Sequence, residues 1–191
     1  MKPLIDKTFQ QNLSTPCYFY DMELLQKTMN AALFEAQKNN YFIHYAIKAN
    51  ANQHLLKQIA KAGFGADCVS ANEIIQATNC GFSAENIVFA GVGKTDDEIA
   101  LALEKNIFCF HCESLEELVI INQMASSKNK IANIALRLNP NIVAHTHHYI
   151  TTGTQENKFG FSPEEWRDAL NILPTLTNLR FIGLHFHIGS Q

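Results

Sequence analysis

NIVFAGVGKTDDEIALALEKNIFCFHCES, residues 86–114, contains the repeating unit that decides the fold. An apolar run rich in β-forming residues, NIVFAG, is followed by the amphipathic segment TDDEIALALEKN and then by a second apolar run, IFCFHCES. The two apolar runs have the length and composition of buried strands, and the segment between them has helical periodicity and ends in Asn. The stretch therefore predicts a strand, a helix and a second strand.

The same alternation extends along most of the chain. Further β-rich runs are YFIHYAIKA, GADCVS, ANIALRLN and FIGLHFHIG, and amphipathic segments such as ANQHLLKQIAKAG, SANEIIQATNCG and SLEELVIINQMAS lie between them. Nearly continuous apolar strands, each followed by a helix, predict a parallel α/β sheet, either doubly wound or closed as a (β/α)8 TIM-type barrel. The barrel is favoured because no G-x-G-x-x-G follows the first strand and polar residues end most strands.

Only six barrel-type strands are found, so we expect about six of the eight βα units and interpret the chain as the front part of a longer protein. Before the barrel, PCYFYD is predicted as a short strand and Asp21 as the N-cap of the helix MELLQKTMNAALFEAQKN. The predicted division is an N-terminal segment, residues 1–20, leading into a barrel domain, residues 21–191.

Composition excludes several classes of protein. The net charge of -3 comes from 15 basic and 18 acidic residues that are interspersed, so no basic stripe for nucleic acid is expected. No run approaches the roughly 20 apolar residues of a membrane helix, and the N-terminus does not resemble a signal peptide, which predicts a cytoplasmic protein without membrane contact. Cys109 and Cys112 form C-x-x-C within a predicted strand rather than at a helix N-terminus, which disfavours a redox motif.

Lys48 interrupts the apolar strand YFIHYAIKA. Strand alternation predicts that Ala46, Lys48 and Asn50 share one face. On the inner face of a barrel strand an ammonium group loses hydration, which raises the neutral, nucleophilic fraction and suits a Schiff-base lysine. The alternative is a strand-end lysine that extends into water.

Other strands also carry polar groups where apolar ones are expected. Asp67 and Arg137 lie in apolar strands, where an ionic group is costly unless it is paired or binds a charged ligand. Each is therefore either a pocket residue or half of a structural ion pair. His185 and His187 share a face of the sixth strand and precede a turn at Ser190, an arrangement that suits a planar aromatic phosphate ligand.

Four stretches, in this order and spacing, resemble the fold type III pyridoxal-phosphate decarboxylases: YAIKAN, GADCVSANE, ENKFGF and GLHFHIGSQ. Within that superfamily the sequence is most similar to the diaminopimelate decarboxylases, because HTHHYITTGTQENKFG and HIGSQ match ornithine and arginine decarboxylases and alanine racemases less well. The resemblance implies an alanine racemase-like barrel that binds pyridoxal 5′-phosphate. It further implies a homodimeric enzyme that decarboxylates meso-2,6-diaminopimelate to L-lysine and carries a C-terminal β domain absent from this chain.

The resemblance also assigns roles to single residues. It implies that Lys48 forms the internal aldimine with pyridoxal phosphate and that His187 stacks on the cofactor ring. Ser190 is expected near the phosphate, and Asp67 and Arg137 are expected to line the cofactor pocket.

Three further features are left with weaker or alternative interpretations. His185 is expected to pack or hydrogen-bond behind the pocket. ENKFGF, with Lys158, Phe159 and Gly160, is either a signature near the active site or a turn before a helix capped by Ser162. The histidines of AHTHHY lack a carboxylate or thiolate partner at metal spacing, so no metal site is predicted there; they are His145, His147 and His148.

The resemblance places several catalytic groups beyond Gln191: the acidic partner of the pyridine nitrogen, the glycine-rich phosphate loop, and a Cys and a Tyr from the partner subunit. We therefore expect the 191-residue chain alone to be inactive, with an exposed sheet edge and exposed apolar faces. The alternatives are another fold type III decarboxylase or racemase, a non-catalytic pyridoxal-phosphate-binding barrel, and an unrelated barrel enzyme in which Lys48 is a surface residue.

Overall fold

The structure, a computed structural model, describes residues 13–139 and 159–188, which fall in two compact units, Met1–Ile43 and His44–Gln191. The first unit contains helix α1 (Met22–Lys38). The backbone N–H of Leu24 donates to Asp21 Oδ1 at 2.9 Å, which confirms the predicted N-cap. The strand predicted for PCYFYD is wrong: residues 16–21 have no strand structure, because a strand requires a hydrogen-bonded neighbour and the six-stranded sheet does not include this segment.

The second unit alternates strands and helices as the sequence predicts. Its strands are β1 (His44–Ala46), β2 (Gly65–Cys68), β3 (Ile87–Phe89), β4 (Cys109–Cys112), β5 (Ala132–Arg137) and β6 (Leu179–His185). Its helices are α2 (Gln53–Lys61), α3 (Ala71–Asn79), α4 (Asp96–Lys105), α5 (Leu115–Ser127) and α6 (Pro163–Ile172). Short 3-10 turns span Ile47–Ala49, Ala84–Asn86 and Leu173–Thr175.

All six strands pair in parallel, and their order in the sheet is their order in the sequence. A doubly wound sheet reverses its strand order at a switch point, whereas a (β/α)8 barrel adds each strand beside the one before it. The sequential order therefore confirms the predicted barrel-type α/β fold and its six strands, the first five of which are each followed by a helix within the described residues.

Polar caps determine where the helices begin and end. Thr95 and Glu98 form a capping box at the start of α4, and Ser162 caps α6 as predicted. Asn106 ends α4 in the left-handed conformation with φ 54°, which explains the Asn that terminates the helical pattern in the sequence. These caps fix the loops that follow the strands.

The register of the sheet defines two faces with different contents. Paired residues of parallel strands share a face, so Asp67, Val88 and Cys109 lie together on what we call the inner face, and Arg137 shares that face with His185. On β3, β4 and β5 the opposite face carries fully buried apolar side chains, among them Phe89, Phe110, Ile134 and Leu136. Most of the large buried side chains therefore lie on the opposite face, whereas the inner face combines a small buried cluster of Val88, Cys109 and Ala135 with the polar groups.

The two thiols of the C-x-x-C motif lie on opposite faces of β4, because residues three apart in a strand alternate sides. Cys109 and Cys112 are both free and buried. Burial raises the pKa of the Cys109 thiol to about 12 and raises that of Cys112 well above its ordinary value. Both residues therefore act as small buried hydrophobes.

Strand β6 is an edge of the sheet within the described ranges. Five apolar side chains in β6 and directly after it are at least 41% exposed: Phe181, Ile182, Leu184, Phe186 and Ile188. The exposed edge and apolar surface expected from the strand count are therefore present. Among the residues described, no helix is both long and apolar enough to cross a membrane.

Candidate active site

A cavity of about 190 Å³ opens at the side of the sheet formed by the carboxyl ends of the parallel strands. Its polar lining consists of residues predicted from the sequence: Lys48, Asp67, Arg137, His185 and His187. Its remaining lining consists of Phe159, which the sequence placed either near the active site or in a turn, and of four residues that were not predicted: Val69, Ala90, Gly91 and Val92. Ser190, Lys158 and the three histidines of AHTHHY lie outside the described residues.

Lys48 reaches the cavity by a different route from the one predicted. Strand β1 ends at Ala46, and residues Ile47–Ala49 form a 3-10 turn in which Ile47 is fully buried and Lys48 is exposed. The predictions that Lys48 continues the strand and is desolvated by it are therefore wrong. The physical reason is that the turn directs Ile47 into the core and leaves the neighbouring side chain at the mouth of the cavity.

Asp67 lies within β2 on the inner face and is half-buried. Its Oδ1 atom is buried and has no hydrogen-bond partner in the described part of the chain. Burial raises the pKa of the Asp67 carboxyl, the Lys48 ammonium opposes that shift, and the Glu73 carboxylate adds to it. A buried acceptor without a partner beside a cavity is costly, and this cost is removed when a ligand donates to it.

Arg137, at the end of β5, is paired with Glu113. Its Nη1 donates to Glu113 Oε1 at 2.9 Å, and the side chains of Arg137 and Glu113 are only 12% and 3% exposed. The Arg137 Cζ atom also lies 5.6 Å from the centre of the Phe159 ring. Glu113 was missed at the sequence level, although a charged residue directly after the apolar run IFCFHC is the same signal that identified Asp67 and Arg137.

His185 stacks on His111 beneath the cavity. The ring centres are 4.2 Å apart and the ring planes differ by 23°. Burial is the main reason that the pKa of His111 falls to about 3 and that of His185 to about 4, and the nearby Arg137 and Lys94 cations contribute to both shifts. Both imidazoles are therefore neutral near pH 7, and His111 is a second residue that sequence reasoning missed. His187 follows β6, lines the cavity and is exposed.

The end of ENKFGF is built against the backbone of Arg137. Phe161 N–H donates to the Arg137 carbonyl oxygen at 2.7 Å, and Asn139 N–H donates to the Phe161 carbonyl oxygen at 3.0 Å. Gly160 has φ +86°, and a Cβ there would lie 2.6 Å from the Arg137 carbonyl oxygen. Both interpretations of ENKFGF agree with the structure: Gly160 fixes the turn before α6, and Phe159 lies at the cavity.

Together these groups suit an anionic, planar aldehyde. A primary amine can form an imine with an aldehyde, a guanidinium binds anionic oxygens, and neutral imidazole rings offer flat surfaces for an aromatic ring. Asp67 Oδ1, which has no hydrogen-bond partner among residues 13–139 and 159–188, adds a buried acceptor at the same place.

Residues 23–191 match the family model described as the pyridoxal-binding domain of pyridoxal-dependent decarboxylases. The chain belongs to this family. Pyridoxal 5′-phosphate, which the sequence resemblance implies, is therefore the cofactor of the family domain that the chain matches.

Several decarboxylases resemble this chain. Diaminopimelate decarboxylase of Bacteroides thetaiotaomicron is 52% identical over 182 residues, which cover 95% of the chain and 47% of the relative. A crystal structure of Helicobacter pylori diaminopimelate decarboxylase complexed with L-lysine matches with a TM-score of 0.84 at 40% identity, covering 97% of the chain and 47% of that protein. The arginine decarboxylase of Paramecium bursaria Chlorella virus matches with a TM-score of 0.69 at 27% identity, covering 86% of the chain and 42% of that protein. The chain thus spans about half the length of these relatives.

Replacing Gly160 by Ala is expected to destabilise the protein more than replacing Gly81 by Ala. Both glycines have positive φ, +86° and +96°, so each substitution carries a backbone cost of about 1–3 kcal/mol. Only at Gly160 does the new Cβ meet other atoms, which adds about 1–3 kcal/mol of overpacking. The free energy of unfolding of both variants, measured with denaturant, checks this; equal losses would show that the contact with Arg137 has no energetic weight.

The free energy of unfolding is expected to fall as the pH is lowered from 7 to 5, in part because of His111. Below about pH 6.5 the unfolded chain protonates this imidazole, whereas burial keeps the folded pKa at about 3, so the loss continues down to that value. His111→Phe should make the dependence shallower, by up to about 1.4 kcal/mol per pH unit. The exposed His54 provides the control, and an equal change of slope in His54→Phe would contradict the assignment.

Proposed function

We propose that residues 21–191 are the pyridoxal-binding barrel domain of a diaminopimelate decarboxylase, preceded by a short N-terminal segment, residues 1–20. The whole protein would remove one carboxyl group from meso-2,6-diaminopimelate and release L-lysine. The observation that carries this proposal is the convergence of Lys48, Asp67, Arg137 and His187 on one cavity in a pyridoxal-binding fold.

The residues present fit the cofactor. Lys48 supplies the amine that holds the cofactor aldehyde covalently, and Arg137 supplies a cation for its anionic oxygens. His187 offers a ring at the cavity for stacking, and the buried Asp67 Oδ1 accepts a hydrogen bond that the described residues do not supply. Ser190 near the phosphate stays a prediction. When bound, the cofactor supplies an electron sink for the pair left behind as the carboxylate departs.

The surrounding residues set the electrostatics of that site. The stacked His111 and His185 rings are neutral near pH 7, so His185 lines the cavity, with His111 packed against it, without adding positive charge. Asp67, whose pKa is raised by burial, lies close enough to Lys48 for the two charges to interact. This proximity places the Asp67 carboxyl group where it can accept a hydrogen bond from a nearby nitrogen.

The substrate proposal is supported by the relatives. Two bacterial diaminopimelate decarboxylases are 52% and 40% identical to this chain, whereas the viral arginine decarboxylase is 27% identical. Carbon dioxide release by the full protein is expected from meso-2,6-diaminopimelate and only at background level from ornithine or arginine. Release from one of those substrates instead would assign another decarboxylase, and binding of cofactor without any release would assign a non-catalytic protein.

Two further proposals rest on the family resemblance: the full protein is a homodimer, and it acts in the cytoplasm on a small amino-acid substrate. Light scattering on the purified full protein tests the first, and a monomer at micromolar concentration would contradict it. Fractionation of cells tests the second.

Lys48→Ala is expected to abolish the visible absorption band of the lysine-bound cofactor in the full protein, because the side chain that forms the covalent bond is removed. Borohydride reduction of the unmodified protein, followed by peptide mass mapping, should place the added mass on Lys48. The matched control is Lys57→Ala, since Lys57 is an exposed lysine on α2. Retention of the band in Lys48→Ala, or added mass on another lysine, would overturn the assignment.

A further inference from the structure

A buried network of charged side chains lies next to the cavity and has no place in the chemistry described above. Lys94 is only 1% exposed and donates to the carbonyl oxygens of Gly91 and His111, each at 2.8 Å. Its Nζ also lies 2.5 Å from Glu117 Oε1. The other carboxylate oxygen of Glu117 accepts from the backbone N–H of Glu113 at 2.7 Å.

Glu113 connects this network to the cavity. Its backbone is held by Glu117, and its Oε1 accepts from Arg137 Nη1 at 2.9 Å. The loops after β3 and β4 are thereby joined to the end of β5 through charged hydrogen bonds, which are stronger than neutral ones. A shift of Glu113 would therefore be transmitted to the guanidinium that lines the cavity.

We propose that Glu113 is a positioning residue that fixes the Arg137 guanidinium for the anionic oxygens of the cofactor, and that the Lys94–Glu117 pair fixes Glu113. This inference rests on the proposed cofactor site. Glu113 does not line the cavity, so it acts through Arg137.

The burial of Glu113 argues that this carboxylate has a role beyond stability. A carboxylate that is 3% exposed has a desolvation cost of several kcal/mol, and a buried ion pair recovers that cost only with favourable geometry. The Oε2 atom of Glu113 is buried and has no hydrogen-bond partner within residues 13–139 and 159–188, so the carboxylate is not fully satisfied. An apolar pair would fill this space at lower cost, but it would not hold a guanidinium in one orientation.

Other contacts also restrict Arg137, at its side chain and at its backbone, and they favour a single orientation of the guanidinium. The Phe159 ring lies 5.6 Å from its Cζ, and the Gly160–Phe161 backbone is hydrogen-bonded to its carbonyl oxygen. A guanidinium has five N–H donors in a rigid plane, so one nitrogen can pair with Glu113 while others face an anion. Without Glu113, rotation about the side-chain bonds would spread those donors over several positions.

The test is a double-mutant cycle on the affinity of the full apoprotein for pyridoxal 5′-phosphate, measured by absorbance titration. Glu113→Gln keeps the shape but removes the charge and should weaken binding roughly 10-fold, as Arg137→Gln should. The double variant should bind no more weakly than Arg137→Gln alone, because Glu113 acts only through Arg137. The matched control is Glu104→Gln, which removes an exposed carboxylate paired with Lys128 at 2.8 Å and should leave affinity unchanged.

The outcomes separate this inference from the proposed site. If Arg137→Gln weakens binding and Glu113→Gln does not, or if the two losses simply add, the positioning role is overturned and the site stands. If Arg137→Gln has no effect on affinity, Arg137 is not a cofactor residue, and both its assignment and the positioning role of Glu113 are overturned. The Lys48→Ala spectrum then still tests whether Lys48 holds the cofactor. The unfolding midpoint of each variant is measured alongside. Should Glu113→Gln not fold, Glu113→Asp takes its place. The same non-additive loss of affinity for pyridoxal 5′-phosphate is expected, because the Asp side chain is one methylene shorter and its carboxylate lies farther from Arg137.

Discussion

Parallel pairing of six strands in sequential order is the constraint on which the rest of this structure depends. Because all strands run in the same direction, the residues that end them meet at one edge of the sheet. Lys48, Arg137 and His187 are far apart in the sequence and line the same cavity for this reason. The register also decides which side chains share the inner face, and it places Asp67, His111 and His185 there rather than in the apolar core.

The cost of burying charge explains how the groups at this edge differ. Lys48 avoids this cost because it lies on a turn at the mouth of the cavity, where its side chain is exposed. The side chains of Lys94 and Glu113 are almost fully buried, and opposite charges and backbone groups bind them there. The imidazoles of His111 and His185 meet the same constraint by remaining neutral. One edge of the sheet thus holds exposed, paired and neutral polar groups, each in the state that its burial allows.

Backbone geometry contributes as much to the cavity as side-chain charge does. Gly160 lets the chain approach the Arg137 carbonyl oxygen, and the strand-like bridge of Leu138 to Phe161 extends the sheet beyond β5. This approach brings Phe159 to the guanidinium. A stretch that is distant from β5 in the sequence is therefore part of the support of a β5 residue.

The sequence by itself determined the alternation of strands and helices and the caps at Asp21 and Ser162. It also singled out Lys48, Asp67, Arg137 and His187, which the structure shows to line one cavity, whereas Ser190 lies outside the described residues. These features depend on local periodicity and on which residue ends a strand, and both can be read from neighbouring positions. The strand predicted for PCYFYD is wrong because strand structure requires a partner. Only the tertiary structure decided that Lys48 lies on an exposed turn, that Glu113 rather than Asp67 pairs with Arg137, and that His111 supports His185. These are contacts between different strands and loops, so they depend on register and on distances that no single stretch of sequence contains.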